Sequence, residues 1–138
     1  MWFYYALLSA VFAACTAIFA KMGVANINSN LATGIRTVII LVLVWSIVFA
    51  KGEAKGIATL SKSNIIFLVL SGVATGLSWL FYFKALQIGK VSQVAPVDKL
   101  SVAIALLLSV LIFKETLTLK TAIGALLIIG GTIMFALE

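Results

Sequence analysis

An aspartate and a lysine stand side by side in an apolar stretch of this chain, directly after a proline. Asp98 and Lys99 follow Pro96 and Val97 within residues 91–113, which are otherwise mostly aliphatic. A charge in such a stretch is unfavourable unless it is paired, hydrated or protonated. We therefore treat this stretch as a candidate site for a polar solute or an exchanged proton.

Pro96 predicts an interrupted helix at this point. It has no N–H group to bond the carbonyl of Ser92, so the first turns of the helix should be kinked or loosened. Broken helices at membrane depth are tolerated where they line a cavity, and in transporters they often mark the binding site. A simple packing kink would also explain the proline.

Arg36 is a second charge that falls inside an apolar run. If consecutive runs cross a membrane in alternating directions, Arg36 and Asp98 reach a similar depth in the same leaflet. This predicts an Arg36–Asp98 ion pair, with Lys99 a poorer partner because adjacent helical residues point about 100° apart. Alternatively, Arg36 and Lys99 extend to the headgroups while Asp98 bonds backbone freed near Pro96.

Small and hydroxylated residues continue the face of Asp98 at helical spacing. Ser101, Ala105 and Ser109 could line a pathway or simply permit tight packing. In the third run, Trp79 and Tyr82 are three residues apart and could form an aromatic wall of the site. The candidate substrate-binding or coupling residues are Asp98, Arg36, Lys99, Trp79, Tyr82 and Ser101.

The apolar runs that position these residues number five. The chain has 138 residues, of which 64% are hydrophobic, and about 20 apolar residues in a helix span a bilayer. The runs cover about residues 2–20, 31–50, 64–83, 91–113 and 121–137. We predict an all-α integral membrane protein with five transmembrane helices in one domain, 1–138. Asn30 is expected to cap the second helix, and Thr118 with Glu115 the fifth.

Composition excludes several other kinds of protein. The net charge is +6, but the basic residues are scattered singly, so we expect no nucleic-acid partner. There is no histidine, and Cys15 is the one cysteine, so we expect neither a metal nor a cofactor. No nucleophile, base and orienting group converge, so we predict no enzymatic activity.

Glycines at helical spacing predict close helix contacts. Gly72 and Gly76 form a GxxxG pattern in the third run, and Gly124, Gly130 and Gly131 lie in the fifth. Such faces allow backbones to approach one another within or between subunits. The pattern does not reveal which.

Three segments of the chain resemble the EamA domain of the drug/metabolite transporter superfamily. They are residues 78–86 (SWLFYFKAL), residues 94–101 (VAPVDKLS), and residues 114–118 (KETLT) with the glycines that follow. The resemblance implies a five-helix repeat that carries small organic solutes. Many members have two inverted repeats in one chain, whereas this sequence has one, as in a single-repeat bacterial and archaeal branch. The resemblance therefore implies a homodimer, which could be antiparallel.

Lysines between the runs carry weak information on orientation. Five lie on one side of the membrane and three on the other, or five if Arg36 and Lys99 extend there. This bias, if it acts, places the N terminus in the cytoplasm, and without it the chain could insert both ways. We expect a multi-pass protein of the cell inner (cytoplasmic) membrane.

Three functions fit these features. The first is a secondary transporter of small polar metabolites, such as amino acids, that works by alternating access. Arg36 and Lys99 would favour a carboxylate, and Asp98 would bind an amine or exchange protons. The second is a proton-coupled exporter of cationic drugs, which the many basic residues disfavour. The third is a non-transporting membrane partner protein.

Overall fold

A computed structural model describes residues 1–137 of the chain, and in that range all regular secondary structure is helical. Residue 138, included in the predicted domain, lies outside the described range. The helices are α1 (Trp2–Gly23), α2 (Ser29–Ala50), α3 (Lys62–Ile88), α4 (Val91–Asp98), α5 (Leu100–Phe113) and α6 (Leu119–Ala136). A 3₁₀ segment, Glu53–Thr59, lies in the connection between α2 and α3.

Five helical segments are long and apolar enough to cross a membrane: α1, α2, α3, Val91–Phe113 as one span, and α6. Their large apolar side chains are mostly exposed, as Phe67 at 68% and Leu127 at 71% illustrate. Such exposure is unfavourable in water over so wide a surface, whereas lipid tails solvate it well. This confirms the predicted class, an all-α protein with five membrane-spanning helices.

Two compact units divide the chain: residues 1–19 with 88–138, and residues 20–87. In the first, which we call the α4–α6 unit, α6 packs against both α4 and α5. In the second, the α2–α3 unit, the end of α1 is tied to the end of α3. Lys21 Nζ donates to the carbonyl oxygen of Leu86 at 2.6 Å, and Val24 and Leu86 are fully buried.

The end of α3 differs from the prediction that residues 85–90 form a connection. The helix continues to Ile88, 27 residues from its start. Two contacts hold the extra turn: the buried side chain of Leu86, and Gln87, whose Nε2 donates to the carbonyl oxygen of Ile27 at 2.9 Å. Hydropathy alone did not reveal this turn because the residues that bond it, at the end of α1 and in the connection to α2, are distant in the sequence.

Helix capping agrees with the sequence at α6 and differs at α2. Thr118 caps α6, where its hydroxyl accepts from the backbone N–H of Thr121. The cap of α2 is Asn28, not Asn30. Asn28 has an extended backbone, and its Oδ1 accepts from the N–H groups of Asn30, at 2.8 Å, and Leu31. Asn30 lies inside the first turn. Its backbone N–H donates to the cap, whereas its side chain was expected to accept as the cap.

The glycine faces make no close contact within the described residues. A methyl group built at Gly72 or Gly76 would meet no heavy atom within 4 Å, and the same holds for Gly124, Gly130 and Gly131. Within the described residues, these positions are open. The GxxxG pattern of α3 is therefore left available for contacts outside the protomer.

Candidate solute-binding site

The fourth membrane span is broken after its proline. We call residues 96–99 the helix break: α4 ends at Asp98, Lys99 forms a turn, and α5 begins at Leu100. The N–H of Lys99 donates to the carbonyl oxygen of Pro96 at 2.9 Å, and the N–H of Val102 donates to that of Lys99 at 3.0 Å. These three-residue spacings are of the 3₁₀ type, tighter than the helix on either side.

Thr132 of α6 lies against this break. Its side chain is 4% exposed, and its Oγ1 lies 2.7 Å from the carbonyl oxygen of Ile128 and 3.3 Å from that of Pro96. The hydroxyl thus reaches the carbonyl at the start of the break. Sequence reasoning missed Thr132. The available signal was a hydroxyl residue within the apolar body of the fifth span.

Asp98 and Lys99 form the one ion pair found in residues 1–137. The Lys99 Nζ lies 3.2 Å from Asp98 Oδ2, and the side chains are 55% exposed for Lys99 and 37% exposed for Asp98. The expectation that Lys99 would be the poorer partner of Asp98 assumed an unbroken helix. Lys99 instead lies in the turn, and its long side chain bends back to its neighbour. Pairing lowers the cost of placing either charge in a span.

Arg36 of α2 stacks on two aromatic rings of α3 in the α2–α3 unit. Its Cζ lies 4.3 Å from the ring centroid of Trp79 and 5.1 Å from that of Phe83. The two rings share a face of α3 because they are four residues apart. We call Arg36, Trp79 and Phe83 the arginine stack. Trp79 was a candidate from sequence, and Phe83 was missed because it is one of several aromatic residues in that segment.

Tyr82 supports the stack from the side. It is half-buried and meets Phe83 edge to face, with ring centroids 6.5 Å apart. Phe83 itself is 3% exposed. The rings under the guanidinium are therefore held by packing rather than left to rotate in lipid.

The stripe below Asp98 is placed differently from a straight-helix extrapolation. Ser101 and Ala105 are exposed, while Ser109 is half-buried and its hydroxyl donates to the carbonyl oxygen of Leu106 in its own helix. The break between Asp98 and Ser101 changes the rotation of α5 relative to α4. Helical spacing along the sequence therefore does not show whether Ser101, Ala105 and Ser109 lie on the same face as Asp98.

Two charged clusters emerge, each within its own unit. The α4–α6 unit brings together Asp98, Lys99 and the Pro96 carbonyl, with Thr132 beneath. The α2–α3 unit brings together Arg36, Trp79 and Phe83, with Tyr82 beside them. In residues 1–137 there is no group of three histidine, cysteine, aspartate or glutamate residues that could hold a metal ion. The clusters provide charge and hydrogen bonding for a polar solute.

Comparison with known proteins is consistent with these features. Residues 1–137 match the model of the EamA-like transporter family. A Sinorhizobium protein named "Uncharacterized transporter in cobO 3'region" is 47% identical over 135 residues, which are 98% of this chain and 96% of that protein. An uncharacterized protein of Methanocaldococcus jannaschii is 36% identical over 84 residues, 61% of each chain. No solved structure matches the chain. The chain therefore belongs to the EamA-like transporter family, as a multi-pass membrane protein.

Proposed function

We propose that this protein is a secondary transporter of small polar organic solutes, such as amino acids or related metabolites. It works by alternating access as a homodimer in the cytoplasmic membrane and has no enzymatic activity. The observation that carries the proposal is the helix break, where a proline and an ion pair interrupt a membrane span in a member of a transporter family. A charged pair is costly within a span and does not help one that serves only to pack or anchor.

The ion pair suggests how an amine could enter the site. In the observed state Lys99 supplies the positive charge beside Asp98. An amino group of a solute carries the same charge and can replace it, which releases Lys99 toward the aqueous side. Because both groups are partly exposed, the exchange does not require an uncompensated buried charge. Asp98 is then the amine-binding residue, and Lys99 occupies it when no solute is bound.

The break also supplies a place for movement. Joined through the turn at Lys99, α4 and α5 lack the continuous bonding that keeps a single helix rigid. Discontinuous spans let one segment move while the other stays packed, as alternating access requires. We assign the moving part to the eight-residue α4.

The proposal of a dimer depends on the number of helices. Residues 1–137 form one five-helix repeat, and the match to the Sinorhizobium relative covers 96% of that protein. Five helices hardly enclose a pathway, so a second copy completes it. The weak lysine bias permits opposite insertion of the two copies, and an antiparallel pair restores the inverted repeats of longer transporters.

Cysteine labelling tests the orientation of the copies. Cys15 is replaced by alanine, and one reporter cysteine is placed at Thr59, outside the spans. We expect an impermeant reagent to label about half of the reporters from each side of the membrane. Labelling from one side alone would contradict the antiparallel pair.

Flux in proteoliposomes tests transport itself. We expect the purified chain to exchange labelled amino acids from a mixed pool, and Asp98→Asn to lower the exchange at least tenfold while helix content is retained. Glu115→Gln, a change at an exposed carboxylate outside the spans, is the matched control and should leave exchange unchanged. Equal flux in Asp98→Asn would remove Asp98 from the mechanism. Absence of flux for every solute tested, including hydrophobic cations, would favour the non-transporting partner.

A further inference from the structure

We propose that Arg36 is the oxyanion-binding group of this protein. Its guanidinium, held on Trp79 and Phe83, binds the carboxylate or phosphate of a small solute. The inference rests on the proposed transport function in taking that solute to be the cargo. The binding site itself is argued from the arginine stack.

The stack presents the guanidinium in a defined way. A cation within about 6 Å of an aromatic centroid is attracted to the face of the ring, and Arg36 meets this condition at both rings, at 4.3 and 5.1 Å. The two rings hold the Cζ end of the side chain in place. The N–H groups of the guanidinium lie in its plane and point outward, where they match the two oxygens of a carboxylate or phosphate.

Within the α2–α3 unit, neither α2 nor α3 carries a carboxylate that could pair with Arg36. The α2–α3 unit contains one acidic residue, Glu53, which lies in the 3₁₀ segment rather than in α2 or α3. Lys99, the other cation proposed from sequence for a carboxylate, is instead paired with Asp98. The proposal therefore gives the two roles to different clusters: Asp98 and Lys99 serve an amine, and Arg36 serves an oxyanion.

The position of Arg36 suits an oxyanion from two sources. It is the eighth residue of α2, about 10 Å along the helix axis from the first at 1.5 Å per residue. It is half-buried, so part of the side chain is left uncovered by the protein. A dissolved solute can meet it there, and so can a lipid phosphate if the side chain extends toward the headgroups. The test has to distinguish these sources.

Trp79 provides a direct reading of binding. The chain has three tryptophans, and replacing Trp2 and Trp45 by phenylalanine leaves Trp79 alone. An oxyanion on Arg36 changes the charge next to the Trp79 ring and therefore its fluorescence. The full-length protein in a neutral detergent is titrated with butyrate, butyramide and inorganic phosphate at constant ionic strength, and separately with phosphatidylglycerol added to the micelles.

We expect a saturable change with butyrate and with phosphate, and none with butyramide. Arg36→Gln should weaken the apparent affinity at least tenfold, and Arg36→Lys should weaken it severalfold, because lysine keeps the charge but lacks the planar pair of donors. Lys84→Gln, at an exposed lysine that donates to Gln87 on the same helix, is the control and should bind as the parent does.

Four results would overturn the proposal. A response that survives Arg36→Gln would remove Arg36 from the site. A response to phosphatidylglycerol alone would assign the group to lipid headgroups rather than to a solute. A tenfold tighter response in Asp98→Asn would make Asp98 the ordinary partner of Arg36. Solute flux without any anion response would end this inference and leave the transporter proposal intact, whereas anion binding without flux would do the reverse.

Discussion

Thr132 is the residue that connects α6 with the helix break. It is one of three polar side chains that are buried among residues 1–137, and it is 36 residues from Pro96, whose carbonyl it approaches. The Pro96 carbonyl already accepts from the N–H of Lys99 at 2.9 Å, and a carbonyl oxygen has a second lone pair. The Thr132 hydroxyl offers a second donor from a neighbouring helix, as hydroxyl side chains do at irregular helix segments in membranes.

Removing that hydroxyl should destabilise the α4–α6 unit. We expect Thr132→Val to lower the free energy of unfolding by about 0.5–1.5 kcal/mol, the range measured for single hydrogen bonds, with Thr132→Ser nearer the parent. Unfolding in mixed micelles is the measurement. Thr75→Val is the control, since that exposed hydroxyl bonds only Ser71 of its own helix; an equal loss in both variants would show that contact with Pro96 adds nothing.

The cap of α2 gives a second prediction at this scale. Asn28→Ala should lower stability by about 1 kcal/mol, because two N–H groups of the first turn lose their acceptor. Asn30→Ala should change it by a few tenths at most. The same unfolding assay compares them, and the reverse order would restore Asn30 as the cap.

At the scale of elements, the division of the fourth span into α4 and α5 determines how the site can move. The 3₁₀-type bonds at Lys99 are shorter-range than those of an α-helix, and a mid-helix 3₁₀ stretch often marks a hinge. Pro96 lacks the N–H group that a regular α-helix would need at this point. We therefore expect the fourth span to change between a kinked and a straighter form.

Pro96→Ala should stiffen that element. Alanine restores the N–H that can bond the Ser92 carbonyl, so we expect unchanged or increased stability together with a roughly tenfold fall in solute exchange. Hydrogen exchange of α4 amides and flux in proteoliposomes are the paired measurements. Val97→Ala, an exposed neighbour, serves as the control. Full exchange in Pro96→Ala would show that transport does not depend on the break.

At the scale of the whole molecule, the exposed surface is the feature that requires a partner or lipid. Almost every residue of α1 before Thr16 is exposed, as are most of those in α3. Alanines four apart in α1 (Ala6, Ala10 and Ala14) are among these exposed residues, and the glycines of α3 have no close partner within their own unit. Lipid can cover any apolar face, but small residues add helix-to-helix contact when another backbone meets them.

Alanine at the open glycines distinguishes these possibilities. Since Gly72→Ala and Gly76→Ala meet no atom of the protomer, the folded protomer should tolerate both, with a gain of up to about 1 kcal/mol from helix propensity. We expect the double variant to weaken dimerisation severalfold, measured by energy transfer between labelled copies in vesicles. Gly34→Ala on α2 is equally open and should leave dimerisation unchanged. Unaltered dimerisation in the double variant would place the interface elsewhere.

The number and position of the spans, the capping threonine and the interruption near Pro96 could all be derived from the amino-acid sequence. Each depends on local physics: the length of an apolar run, a hydroxyl before a helix, and a missing N–H group. The EamA family was recognisable from short segments for the same reason. No detail of packing was needed for any of these predictions.

The contacts of the candidate site required tertiary structure. Arg36 meets Trp79 and Phe83 across more than 40 residues of chain, and Thr132 meets Pro96 across 36. Which residues meet depends on how each helix is rotated about its axis. The sequence of a membrane span gives little information on that rotation, because the span is apolar on all sides and has no polar face to mark its orientation. Lys99 pairs with Asp98 for a related reason, because the turn between α4 and α5 alters directions that an unbroken helix would have set.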